Sequence, residues 1–198
     1  SVPTMIKEDI STLIMIGLGL MFGILFLNIR NIFSVFLIFS IIIQSLIVMV
    51  GVMGWITYYT GSKYFYFTII NSSMPIILLT IANSDGVHFV TRFFKEMRGG
   101  KDTRQAISAS IDKLLMPIFL TSITTISAFL ALYFAPINQL LGYGVCLSIG
   151  ILYAFILSVT FLPAAISFKK WNPESISISR ESILEKTIRN IGVVIISN

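Results

Sequence analysis

Four side chains able to exchange protons or hydrogen bonds, Asn83, Ser84, Asp85 and His88, sit within the otherwise apolar run Pro75 to Arg92. A carboxylate at the centre of a bilayer helix costs about 2.5–3.5 kcal/mol on insertion scales. Asp85 is therefore expected to face protein or a wet path rather than lipid. Asp85 and His88 are three residues apart, Ser84 and His88 four, so they fall on one helical face, and Arg92 continues the stripe toward the basic end. Burial disfavours an ionised carboxylate and a nearby cation favours it. A carboxylate balanced between the two can take up and release a proton near neutral pH, as a proton relay requires. The competing reading makes Asp85 a static partner of His88 that holds helices together. No second histidine is present, so His88 is expected to orient or support its neighbours, and no metal site is expected.

Such a stripe needs a membrane-spanning scaffold, and the rest of the sequence supplies one. Hydrophobic residues make up 56% of the chain and charged residues 12%, with a mean hydropathy of +0.91. That balance excludes an ordinary soluble domain, and several apolar runs reach the roughly 20 residues needed to cross a bilayer. The expected fold is an all-α integral membrane protein, a polytopic helical bundle of five full spans plus the start of a sixth. Residues 1–9 close a polar region outside the bundle, and the five spans occupy residues 10–168. Their approximate limits are Ile10–Leu27, Ile32–Trp55, Thr68–Val90, Leu114–Phe134 and Leu140–Phe168. A Tyr-, Phe- and Trp-rich stretch from Ile56 to Phe67 suits an aromatic belt. The run from Val193, at residues 193–198, reads as the beginning of a further span, so the chain is expected to be part of a longer protein. No cleavable signal sequence is expected at its start.

The basic residues fix an expected orientation. With five alternating spans, twelve fall on one side: Arg30, six between Arg92 and Lys113, and five between Lys169 and Arg189; Lys7 and Lys63 alone fall on the other. The positive-inside rule makes the richer side cytoplasmic, which also accounts for the net charge of +5 without nucleic acid as a partner. Residues 92–113 form a basic connection in which Asp102 and Gln105 have capping-box spacing, predicting a helix from about Thr103. Ala106, Ile107, Ser110, Ile111, Leu114 and Leu115 recur at helical spacing from there into the fourth span. Residues 169–192 read as an interfacial amphipathic linker.

Thr121, Ser122, Thr124, Thr125 and Ser127 crowd the fourth span. Most are expected to bond their own backbone, while Thr124 or Thr125 could reach Asp85 or carry water to it. Gly142, Gly144, Ser148 and Gly150 in the fifth span, and Gly17, Gly19 and Gly23 in the first, are expected to allow close helix approach. Pro117 and Pro163 are placed near span ends, where a freed carbonyl is tolerable. The lone Cys146 cannot form an intrachain disulfide. No Ser–His–Asp set, metal cluster or catalytic carboxylate pair occurs at workable spacing, so an enzyme is not expected.

The segment Asn83-Ser84-Asp85-Gly86-Val87-His88-Phe89, followed by Arg92-Phe93, Gly99-Gly100 and Gln105-Ala106-Ile107, resembles the fourth-span signature of resistance–nodulation–division exporters. The resemblance is to their hydrophobe and amphiphile (MMPL-like) branch. Thr121 to Phe129 is similar to the fifth-span segment of that group, and Leu141-Gly142, Gly150-Ile151 and Leu162-Pro163-Ala164 to the sixth span and its end. The resemblance implies spans two to six of one half of a two-half bacterial inner-membrane protein, with soluble domains outside the cytoplasm. It implies proton-driven export of lipids or other hydrophobic or amphiphilic molecules. No cofactor is implied beyond the proton gradient, with membrane lipids, a second transmembrane half or a homodimer as partners. The coupling role carries over to Asp85, with Asn83, Ser84, His88, Thr124 and Thr125 as companions in the relay. Relatives with Tyr or Asp directly after the coupling Asp differ from this chain, where Gly86 follows, so His88 stands in for that partner. Sterol-sensing domains share the architecture, and a sensor or scaffold without transport is the alternative.

Overall fold

The computed structural model describes residues 2–29, 31–61, 65, 70–169 and 171. Long apolar stretches form the helices: α1 (Val2–Ile29), α2 (Ile32–Thr60), α3 (Met74–Arg98), α4 (Thr103–Leu130), α5 (Asn138–Val159) and α6 (Phe161–Ser167). Among the described residues there is no strand. α2, α3, α4 and the α5–α6 pair are each long and apolar enough to cross a membrane, and α1 contributes the shorter apolar stretch Met15–Leu27. The fold is an all-α polytopic membrane bundle. Of the interfacial linker at 169–192 only Lys169 and Trp171 are described, and the run from Val193 and parts of the aromatic loop lie outside the described residues.

Local chemistry sets the helix ends. Asn31 caps α2, its Oδ1 accepting from the Ser34 amide at 3.2 Å. The capping box at α4 forms as its spacing predicts: the Gln105 amide donates to Asp102 Oδ1 at 2.7 Å, and the Asp102 amide to Gln105 Oε1 at 3.4 Å. From Thr103 the helix runs unbroken through Pro117, so Pro117 lies inside a helix that begins three turns earlier than the apolar run. α3 similarly continues two turns past Val90. The fifth span is not one helix. It breaks at Thr160 between α5 and α6, where Pro163, lacking an amide hydrogen, cannot bond the carbonyl four residues back.

α5 sits at the centre, packed on α2, α3 and α4, while α3 also contacts α2 and α4 and α1 lies outermost against α2 and α3. Two apolar clusters fill the bundle. Leu78, Met49, Cys146, Leu147 and Ile151 belong to one, and Phe89, Val90, Phe93, Ile38 and Leu162 to the other, which extends to Trp171 at the basic end. Gly144 permits the closest helix approach: a Cβ there would overlap the Phe129 carbonyl oxygen of α4. Ser148 adds a hydroxyl bond to the Ile126 carbonyl at 3.3 Å, so this part of the small-residue stripe does hold α4 against α5. The α1 stripe does not. A Cβ on Gly17, Gly19 or Gly23 would meet nothing within 4 Å, so no described neighbour approaches α1 closely at these residues.

Candidate functional site

α3 positions Asp85 between the two apolar clusters, with Leu78 two turns toward one end and Phe89 one turn toward the other. Its side chain is directed into the bundle, and the residue is only 8% exposed. There the carboxylate faces the Ser122 hydroxyl of α4, a residue itself 5% exposed. The neighbouring Gly86 turns toward α2, where an added Cβ would come within 3.0 Å of Ile38 Cγ1. A larger residue after Asp85 would thus push α3 away from α2.

The remaining relay candidates fall elsewhere. Thr124 donates its hydroxyl to the Leu120 and Thr121 carbonyls at 2.8 and 3.0 Å, and Thr125 to the Thr121 carbonyl at 2.7 Å. All three bonds stay within α4, as those of hydroxyls in helices commonly do. Asn83, Ser84 and His88 lie on the side of α3 that faces α1, where they line a concavity of about 250 Å³ with Ile24, Leu25 and Thr80. His88 and Ser84 are exposed there, and among the described residues no ion pair joins His88 to Asp85. Three positions along a helix turn the second side chain about 60° from the first. Here that rotation carries His88 to the groove and leaves Asp85 in the bundle. The structure therefore unites Asp85 with Ser122, and groups Asn83, Ser84 and His88 in a separate pocket behind it.

Below Phe89 the α3 stripe becomes charged. Glu96, 8% exposed, accepts from Arg92 at 2.6 Å one turn back, from Lys101 at 2.6 Å in the connecting turn, and from Lys113 at 3.1 Å on α4. One carboxylate thus ties the end of α3, the turn and α4 together. Arg92, the end of the sequence stripe, belongs to this cluster. Between it and Asp85 lies a small apolar pocket lined by Phe89, Ile111, Leu114, Leu115, Ile118 and Val159, which separates the buried carboxylate from the charged end.

Asp85 thus faces Ser122 and not Thr124 or Thr125, the hydroxyls expected from the sequence; comparison with known proteins supplies the family. The MMPL family model matches residues 2–180. The chain belongs to the MMPL family. Its relatives include Protein dispatched homolog 1 of Mus musculus, 32% identical over 127 residues, or 63% of this chain and 8% of that protein. The Homo sapiens counterpart is 30% identical over 127 residues, with the same shares covered. A protein of Methanocaldococcus jannaschii described as a membrane protein is 29% identical over 90 residues, 46% of this chain and 23% of its own length. The chain thus spans less than a quarter of the length of each of these relatives.

Within this MMPL chain two site residues escape a reading by sequence alone. Ser122 is one hydroxyl among five in its span, and only the rotation of α4 about its axis selects it. Glu96 carries a partial signal in the Arg92–Glu96 spacing of four residues. Its pairing with Lys113, seventeen residues away, depends on the turn at Gly99-Gly100 folding α4 back on α3.

Proposed function

We propose that the full-length protein is a proton-driven exporter of lipids or other hydrophobic or amphiphilic molecules, and that this chain is part of its proton-conducting membrane core. The observation that carries the reading is Asp85, a buried carboxylate in the middle of a membrane helix that faces a neutral hydroxyl on the adjacent helix. An ionisable group held this way without a fixed cation can change protonation state during a cycle, whereas a permanently paired one cannot. In this reading a proton arriving from outside the cytoplasm binds the Asp85 carboxylate and removes its charge, and its interaction with Ser122 changes. α3 and α4 then favour a second relative position, from which the proton leaves past Phe89 toward the Arg92–Glu96 cluster. Asn83, Ser84 and His88 form the wetter limb on the α1 side, and Thr124 and Thr125 line the exposed side of α4.

The same reading places the protein in a bacterial inner membrane with the basic ends cytoplasmic, and gives α4 a second transmembrane half or a homodimer partner. It assigns the chain no enzymatic step and no cofactor. A second reading, a lipid sensor or scaffold of sterol-sensing type, is favoured by the groove between α1 and α3, which is open to lipid and independent of Asp85. Asp85→Asn in the full-length protein separates the two. The transport reading expects loss of gradient-dependent substrate export with normal protein levels, and undiminished export by this variant refutes it.

A further inference from the structure

Three buried serines of the bundle satisfy their own hydroxyls. Ser45, Ser110 and Ser148 each donate to the carbonyl one turn back, of Ile41, Ala106 and Gly144, at 2.8, 2.7 and 2.8 Å, the usual use of a hydroxyl inside a helix. Ser158 of α5 does not. The residue is 1% exposed, and its Oγ has no hydrogen-bond partner among the described residues. A buried hydroxyl left in this way costs free energy, and alanine would fill nearly the same space without that cost.

The position of this hydroxyl follows from its neighbours. Ala154 and Leu162, one turn before and after Ser158, both lie in the apolar cluster that holds Phe89. Val159, the next residue, lines the small cavity of about 10 Å³ together with Phe89 and Ile118. Phe89 is four residues past Asp85 on α3, and Ile118 four residues before Ser122 on α4. Both offsets point toward the basic end, so Ser158 stands about one helical turn, roughly 5 Å, beyond the Asp85–Ser122 pair. α5 ends at Val159, and Pro163 has no amide hydrogen for the Val159 carbonyl. An unpartnered hydroxyl and a carbonyl without its helical donor thus meet in one turn, beside a cavity with room for about one water.

We propose that Ser158, with the Val159 carbonyl, positions a water that carries the proton from Asp85 toward the Arg92–Glu96 end. The proposal rests on the transport reading and supplies a station in the apolar stretch past Phe89. A water with hydrogen bonds of about 2.8 Å on each side spans roughly one helical turn. Its oxygen takes the proton as the Asp85 carboxyl O–H bond breaks, and one of its own protons leaves toward the charged end. The carboxylate is ionised again, the water is unchanged, and one proton has moved. Ser158 stays neutral throughout; its hydroxyl both donates and accepts, so it holds the water before and after the transfer.

The test uses the full-length protein in liposomes with an imposed pH gradient, a trapped pH indicator and a fluorescent single-chain amphiphile as cargo. Ser158→Ala is expected to lower proton flux about ten-fold, less than the roughly 100-fold or more lost with a group that itself carries the proton. The solvent deuterium isotope effect on the remaining flux should rise. The unfolding temperature should equal or exceed that of the wild type, because the hydroxyl removed has no partner. Ser45→Ala, which removes a hydroxyl bonded to the Ile41 carbonyl, is the control and should keep flux within about two-fold. Wild-type flux in Ser158→Ala overturns the proposal. So does a loss of flux that comes with a lower unfolding temperature and an unchanged isotope effect, the mark of a packing role. Asp85→Asn separates the two claims. Flux lost there but kept in Ser158→Ala removes the water station alone, whereas flux kept in Asp85→Asn removes the transport reading and the station with it.

Discussion

Substituting Gly144 by alanine should loosen the bundle at the point where its two most closely packed helices meet. The new Cβ would overlap the Phe129 carbonyl oxygen and sit 3.1 Å from Leu132 Cβ. The first of these atoms is backbone, so no side-chain rotation relieves it, and α5 must move away from α4. Overpacking of this kind costs about 1–3 kcal/mol, against the roughly 0.5–1 kcal/mol that alanine gains over glycine in a helix interior. Gly17→Ala is the matched control, because its Cβ meets nothing and only the propensity gain remains. Unfolding of the purified protein in a fixed detergent, followed by circular dichroism, measures both. The expected order is Gly17→Ala at or above wild type and Gly144→Ala below it. Functional loss should accompany it, since the same contact holds α4 where Ser122 meets Asp85. Equal stability of the two variants would refute the packing argument.

Removal of the Ser122 hydroxyl in Ser122→Ala should reduce gradient-driven transport about ten-fold, as loss of the polar group facing the buried carboxylate, worth about 1.5 kcal/mol, allows. Thr124→Val, which removes a hydroxyl bonded only within its own helix, should change transport less than two-fold, roughly the effect of a substitution away from such features; the two transport rates, measured side by side, decide it. Glu96→Gln weakens the contacts to Arg92, Lys101 and Lys113, so amide exchange between Arg98 and Gln105 should rise. High salt should bring the wild type toward the same exchange rates, because partly exposed ion pairs are screened. Cys146 is fully buried and should resist a membrane-permeant maleimide, whereas a cysteine at His88 in a Cys146→Ala background should react; mass spectrometry of the labelled protein reads both outcomes.

The span-forming runs, the α4 capping box and the isolation of Asp85 in an apolar helix were legible because each is a local pattern that bilayer energetics reads directly. What depended on helix rotation was not. Asp85 and His88 share a face by spacing, yet the packing of α3 between α1 and α4 divides that face, sending one residue inward and the other to the groove. The hydroxyl that meets Asp85 could not be chosen among five until α4 had a phase. The glycines of α1 and α5 look alike in sequence, but Gly144 and Gly150 of α5 have a helix close against them and Gly17, Gly19 and Gly23 of α1 do not. The break at Thr160 had a visible cause in Pro163, four residues past Val159, whose carbonyl loses its helical donor.

Proton movement through Asp85 is tested most directly by reconstituting the full-length protein in liposomes with an imposed pH gradient. A trapped pH indicator then reports proton uptake as substrate is added. The account predicts substrate-dependent proton flux in the wild type that is absent in Asp85→Asn, at equal protein incorporation. Equal flux in the two proteins would contradict the assignment of Asp85 as the coupling group.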